Sequence, residues 1–127
     1  MKILLIDAFA AILVETLQKV APNVEIVGIY IQGKPGLEAA LSLRPDAVFL
    51  NLDLPDTSGL GILEHLTAIP VEVIASSEWG TFASDAQRMG AAAYLIQPID
   101  ERELKASIKT VEARIERNRP RNPPFPI

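Results

Sequence analysis

Short apolar runs alternate along the chain with segments whose apolar residues recur every three or four positions. The runs are Lys2–Ile6, Glu25–Ile31, Ala47–Leu52, Val71–Ala75 and Ala93–Ile96. Most are nearly all apolar, the pattern of strands covered on both faces. Between the first two, Phe9, Ile12, Leu13, Thr16, Leu17 and Val20 follow a helical period, as do Leu37, Ala40 and Leu41 after the second. Gly59–Ala68, Gly80–Met89 and Asp100–Arg117 predict three more helices. Asp100 serves the last as N-cap, with Glu103 three residues on in the pattern of a capping box. Parallel strands need crossover helices, so five β–α units predict an α/β fold: a doubly wound, five-stranded parallel sheet with helices on both faces. In such sheets ligands bind beyond the carboxyl ends of the strands, near the topological switch point. Candidate chemistry therefore belongs just after Ile6, Leu52, Ala75 and Ile96.

Composition narrows the chemistry. A chain of 127 residues with 49% hydrophobic and 22% charged positions has the size and balance of one globular domain. Its net charge of −4 gives no general attraction to nucleic acid or anionic membrane. There is no cysteine, which excludes disulfides, thiolate metal sites and a cysteine nucleophile, and the single histidine, His65, excludes multi-histidine zinc sites. No apolar run approaches the roughly 20 residues of a membrane span, and the N-terminus lacks the pattern of a signal peptide. A cytoplasmic domain without nucleic-acid or membrane contact is expected. Charge is uneven: residues 1–100 are strongly acidic, and the stretch from 101 onward is net basic. Residues 118–127 concentrate proline, which ends helices, and read as a tail or linker after a domain of residues 1–117.

The strand ends carry Leu5-Ile6-Asp7-Ala8-Phe9, then Asn51-Leu52-Asp53-Leu54-Pro55 with Ser58-Gly59-Leu60, then Ile74-Ala75-Ser76-Ser77, and finally Gly90-Ala91, Tyr94 and Gln97-Pro98. In this order, on five β–α units, the set resembles the receiver domain of two-component response regulators, a flavodoxin-like (βα)5 fold, across residues 1–117. The resemblance implies an acidic pair after the first strand and an aspartate ending the third. Together these hold Mg²⁺, and the third-strand aspartate accepts a phosphoryl group. It also implies a Thr/Ser after the fourth strand and a lysine before the fifth-strand proline, both contacting the phosphoryl group. Carried over by motif, Asp7 keeps the first acidic position, Ala8 stands at the second, Asn51 at the phosphoacceptor, Ala75 at the hydroxyl and Gln97 at the lysine. Tyr94 falls at a switch position, and the Gln97–Pro98 bond is expected to be cis.

These departures agree with one another. An amide is a poor nucleophile, so Asn51 forms no acyl phosphate. Mg²⁺ wants hard, mostly anionic oxygen ligands, and Ala8 and Asn51 remove both direct side-chain ligands, so weak or absent Mg²⁺ binding and no cofactor are expected. Gln97 in place of lysine avoids a buried cation without a partner. The expectation is a phosphorylation-independent pseudo-receiver, not an enzyme, acting through a protein partner or as a homodimer. The resemblance implies a contact face formed by the fourth helix, fifth strand and fifth helix, which here would carry Ala83, Gln87, Ala91, Tyr94, Ile96 and Thr110. Two alternatives stand beside it: an active receiver phosphorylated at Asp53, and a small-ligand sensor using the vacated pocket. Asp53 is read as a loop acid or helix cap set against a cation ligand. Ser76 and Ser77 are read as helix caps set against a hydroxyl arriving one residue late. Trp79 and Phe82 are read as core residues set against an exposed anchor, and Arg114, Arg117, Arg119 and Arg121 as a solvated helix end.

A flavodoxin would need a hydroxyl-rich phosphate loop after the first strand, and a dinucleotide fold a glycine fingerprint. Ala8-Phe9-Ala10-Ala11 supplies neither.

Overall fold

The computed structural model describes residues 1–118. Strands β1 (Lys2–Ile6), β2 (Glu25–Tyr30), β3 (Ala47–Asn51), β4 (Glu72–Ser77) and β5 (Ala93–Ile96) alternate with helices α1 (Ala10–Val20), α2 (Gly33–Leu43), α3 (Gly59–Thr67), α4 (Ala83–Arg88) and α5 (Glu101–Asn118). The strands form one parallel sheet in the order β2-β1-β3-β4-β5. Winding reverses between β1 and β3, so the loops leaving these neighbours diverge and open a crevice at their carboxyl ends.

Side chains alternate between two cores, as a pleated sheet covered on both faces requires. Ile3, Leu5, Ala47, Phe49, Ile74 and Leu95 face α1 and α5, meeting Leu13, Leu17, Leu104 and Ile108. Leu4, Ile6, Val48, Leu50, Val73 and Ala75 face the other way, against Ala40, Ile62, Leu63, Leu66 and Ala86 of α2, α3 and α4. Asp100 opens α5 by accepting from the N–H groups of Arg102 (2.7 Å) and Glu103 (3.2 Å). Ser58 opens α3 by accepting from Gly61 N–H at 3.3 Å. Gly59 is required there, since a Cβ would sit 2.2 Å from the Leu52 carbonyl oxygen.

Most element boundaries fall within a residue of the sequence reading, and the larger differences lie around β4 and the fourth helix. β4 begins one residue later and runs two residues further, because the Ser76 and Ser77 backbones pair with Leu95 and Ile96 of β5. The fourth helical segment is divided into a 3₁₀ turn over Gly80–Phe82 and α4 proper. Arg114 is no solvated helix end: it is half-buried and pairs with Glu72 at 3.2 Å, tying α5 to the start of β4. Arg119, Arg121 and the rest of the proline-rich stretch beyond Asn118 lie outside the described residues. Among the described residues no helix is long and apolar enough to cross a membrane.

Candidate functional site

Asp7 continues β1 past Ile6, its N–H donating to the Tyr30 carbonyl at 2.8 Å. By strand alternation its side chain falls on the α1/α5 side, beside Asn51 at the end of β3. Asn51 is the register partner of Ser76, so the next position in the row is a hydroxyl on β4. Gln97, just after β5, completes it. Asp7, Asn51, Ser76 and Gln97 thus form one row across four strand ends.

The row is internally hydrogen-bonded. Asn51 Nδ2 donates to Asp7 Oδ1 at 3.2 Å, and Asn51 Oδ1 accepts from Asp53 N–H at 2.9 Å. Asp7 Oδ1 also accepts from Phe9 N–H at 2.7 Å, and Gln97 Nε2 donates to Ser76 Oγ at 3.4 Å. Asp7 is 2% and Asn51 1% exposed, so these bonds satisfy groups that burial would otherwise penalise. An amide suits position 51 because it can donate to one neighbour and accept from the other. A carboxylate could do only the second.

The structure corrects the placing of the hydroxyl. Ala75 faces the α2/α3/α4 core, packed with Leu50 and Leu52, and cannot present a group to the crevice. On the Asn51 side of the sheet the hydroxyl is that of Ser76, the residue weighed above as a hydroxyl arriving one position late. Nor do these serines sit beyond the strand as helix caps. Ser77 Oγ accepts from Trp79 N–H at 3.1 Å while donating to Asp53.

Asp53 is a loop acid, half-buried rather than fully solvated, and it caps no helix. Its carboxylate accepts from Ser77 Oγ at 3.1 Å on both oxygens and from Glu78 N–H at 3.0 Å, fastening the β3–α3 loop to the end of β4. Among the described residues no group of three or more acidic, histidine or cysteine side chains is placed to hold a metal. For the Mg²⁺ that the resemblance implies, the crevice offers the Asp7 carboxylate and an amide already bonded at both ends. That donor set does not fit a small ion demanding several anionic oxygens.

The remaining residues singled out above fall around this row. The Gln97–Pro98 bond is cis. The Tyr94 hydroxyl donates to the Trp79 carbonyl. Trp79 is exposed, whereas Phe82 packs on the core below it, so the two aromatics part company. Ala83, Gln87, Ala91, Tyr94 and Ile96 line one open groove of about 760 Å³ between α4, β5 and α5, and Thr110 stands outside that lining. His65 is exposed on α3.

Asp56, which the sequence reading did not single out, accepts from Gly33 N–H at 2.7 Å and Lys34 N–H at 3.0 Å, capping α2 from the β3–α3 loop. Those two backbone donors, Gly33 first, hold its carboxyl below the ordinary aspartate value. A lowered folded-state pKa contributes stability above the unfolded value, and that contribution is lost as pH falls through the folded one. Asp56→Asn is therefore expected to lower the urea midpoint at pH 7. The gap to wild type should close once the pH drops below the Asp56 value, in parallel titrations from pH 7 to 2.

The Response regulator receiver domain family matches residues 3–109. Over 102 residues the chain is 28% identical to protein-glutamate methylesterase/protein-glutamine glutaminase 1 of Geobacter sulfurreducens, covering 75% of this chain and 28% of that protein. Over 104 residues it is 30% identical to the nitrate/nitrite response regulator protein NarL of Escherichia coli, covering 79% of this chain and 48% of the other. It thus spans less than half the length of these relatives. Among solved structures, the response regulatory domain of protein mrkE from Klebsiella pneumoniae superposes with a TM-score of 0.82 at 19% identity, over 93% of this chain and all of that one. A CheY-like response regulator receiver domain protein from Methanospirillum hungatei gives 0.78 at 24% identity, over 91% and 96% of the two chains.

Proposed function

This chain belongs to the response regulator receiver domain family, and from that premise we propose that it is a pseudo-receiver, a cytoplasmic signalling module that works by protein contact without phosphorylation. One observation carries the reading: the Asn51 amide bonds Asp7 on one side and the Asp53 backbone on the other. Where a receiver needs an open oxyanion and a metal, this crevice holds a neutral side chain with its polar atoms in use. The module catalyses no reaction of its own and takes no Mg²⁺.

The contact face is the groove between α4, β5 and α5. Small Ala83 and Ala91 beside apolar Tyr94 and Ile96 let another surface approach closely, in a second copy of this chain or in a protein partner. The bond from Tyr94 to the Trp79 carbonyl fixes the aromatic ring of that face to the loop above it, with no phosphoryl group required. Net charge −4 argues against direct nucleic-acid contact by this domain.

The test is incubation with acetyl phosphate and Mg²⁺, followed by intact-mass measurement and sedimentation. The mass and the association state are expected to stay unchanged, and beryllofluoride should leave the amide resonances around Asn51 in place. An acyl phosphate mapped to Asp53 would replace this reading with that of an active receiver.

A further inference from the structure

Beside the row of strand ends lies a smaller cavity of about 220 Å³, walled by Phe9, Ile12, Leu13, Pro98 and Ile99, with Asp7 and Gln97 among its lining. Asp7 is 98% buried, yet only its Oδ1 is hydrogen-bonded, taking the Phe9 N–H and the Asn51 amide. Oδ2 accepts from no described residue. Because no buried side-chain oxygen is left unpartnered among the described residues, Oδ2 keeps some accessible surface, and Asp7 is part of the cavity lining. Nor does any described cationic side chain pair with it. A carboxylate oxygen without a partner in the lining of a largely apolar cavity is a site short of a cation.

We propose that this cavity binds a primary ammonium on a short alkyl stem. The stem lies against Ile12, Leu13, Pro98 and Ile99, and the ammonium donates to Asp7 Oδ2 while Phe9, exposed at the rim, offers its ring face to the charge. A guanidinium is a poorer match, because its planar fork seeks two free carboxylate oxygens and Oδ1 is already taken. Mg²⁺ is poorer still, since it wants several anionic oxygens and this lining offers a single carboxylate. The Gln97 side chain, its Nε2 held by Ser76, leaves an amide oxygen as a further acceptor. The site does not depend on the groove at α4, β5 and α5, and requires only that Asp7 keep its free oxygen.

Amide resonances are read during titration with n-butylammonium, with n-butanol as neutral isostere. Saturable shifts at Phe9, Ile12 and Ile99 are expected, with affinity falling at least about tenfold for n-butanol or for Asp7→Asn, the loss of one charge-assisted hydrogen bond. Phe9→Ala, which keeps the backbone N–H, weakens binding without disturbing the fold. Nα-acetyl-lysine methylamide separates the sources. Its binding assigns the ammonium to a partner's lysine and its failure beside bound butylammonium to a free amine, and both results support the site. Equal affinity for n-butanol, unchanged binding in Asp7→Asn, or displacement by sub-millimolar Mg²⁺ would overturn it.

Discussion

Asn51→Asp is expected to cost the domain about 2–4 kcal/mol at pH 7 and to give most of it back on acidification. The introduced carboxylate still accepts from Asp53 N–H, so that side of the network survives. On the other side, a donor 3.2 Å from Asp7 Oδ1 becomes a second anion in a site 1–2% exposed. Two unit charges near 4 Å repel by about 4 kcal/mol at an effective dielectric of 20, a cost limited by the option of retaining one proton. The pair therefore titrates with a raised apparent value. A raised folded-state pKa leaves stability intact below the unfolded carboxylate value and removes it as pH rises through the folded one, the reverse of Asp56. Urea midpoints between pH 4 and 8 should fall with pH in the variant relative to wild type. Asp7→Asn combined with Asn51→Asp should recover most of the loss, because donor and acceptor have only changed places. A double-mutant cycle without such coupling would show that the Asp7–Asn51 bond does not organise the crevice.

Much of the fold was legible because its signals are local. Runs such as Ile3–Ile6 and Val48–Leu50 admit little besides a strand buried on both faces, and the spacing of Leu13 and Leu17 fixes the inward side of α1. The end of β4 was not legible, because Ser76 and Ser77 read as the start of a loop while being fully buried strand residues. Successive strand positions face opposite sides of the sheet, so Ser76 and not Ala75 stands in the row with Asn51, the late-hydroxyl alternative that the sequence left open. Motif order alone singles out Ala8, Asn51 and Gln97, and the fold sets Asn51 and Gln97 at strand ends on either side of Ser76. What Asn51 does with both ends of its amide was not legible from that order, as it depends on a residue 44 positions away and on a backbone N–H two positions on. Asp53 was ambiguous for the same reason: its partners Ser77 and Glu78 arrive from another loop, and only the folded chain shows the carboxylate to be engaged. Asp56 carried no signal beyond a proline–aspartate turn, and its task on α2 is likewise long-range.

The corrected position of the hydroxyl changes what is needed to rebuild a phosphoryl-accepting site. Ser76 already stands beside Asn51 in the register, so Ala75 can be left alone. Asn51→Asp by itself supplies a nucleophile but no metal, and should remain unlabelled by acetyl phosphate. Adding Ala8→Asp gives three carboxylates around the crevice, a donor set suited to Mg²⁺. The double variant should then be unstable without metal and stabilised by it, by about 2.7 kcal/mol at a hundred times the dissociation constant. It should also form acyl phosphate at least about a hundredfold faster than the single variant, the order of effect expected from placing charge at the developing transition state. Gln97→Lys added to these two puts a cation next to Ser76, and is expected to stabilise the phosphorylated form and couple it to Tyr94 across β5. The readouts are the thermal midpoint with and without Mg²⁺, the time course of the phosphorylated mass, and the amide resonances of Tyr94 and Ile96. Labelling of Asn51→Asp alone at the rate of the triple variant would mean that Ala8 and Gln97 do not limit the chemistry. The proposed silence of this crevice would then rest on the single amide at position 51.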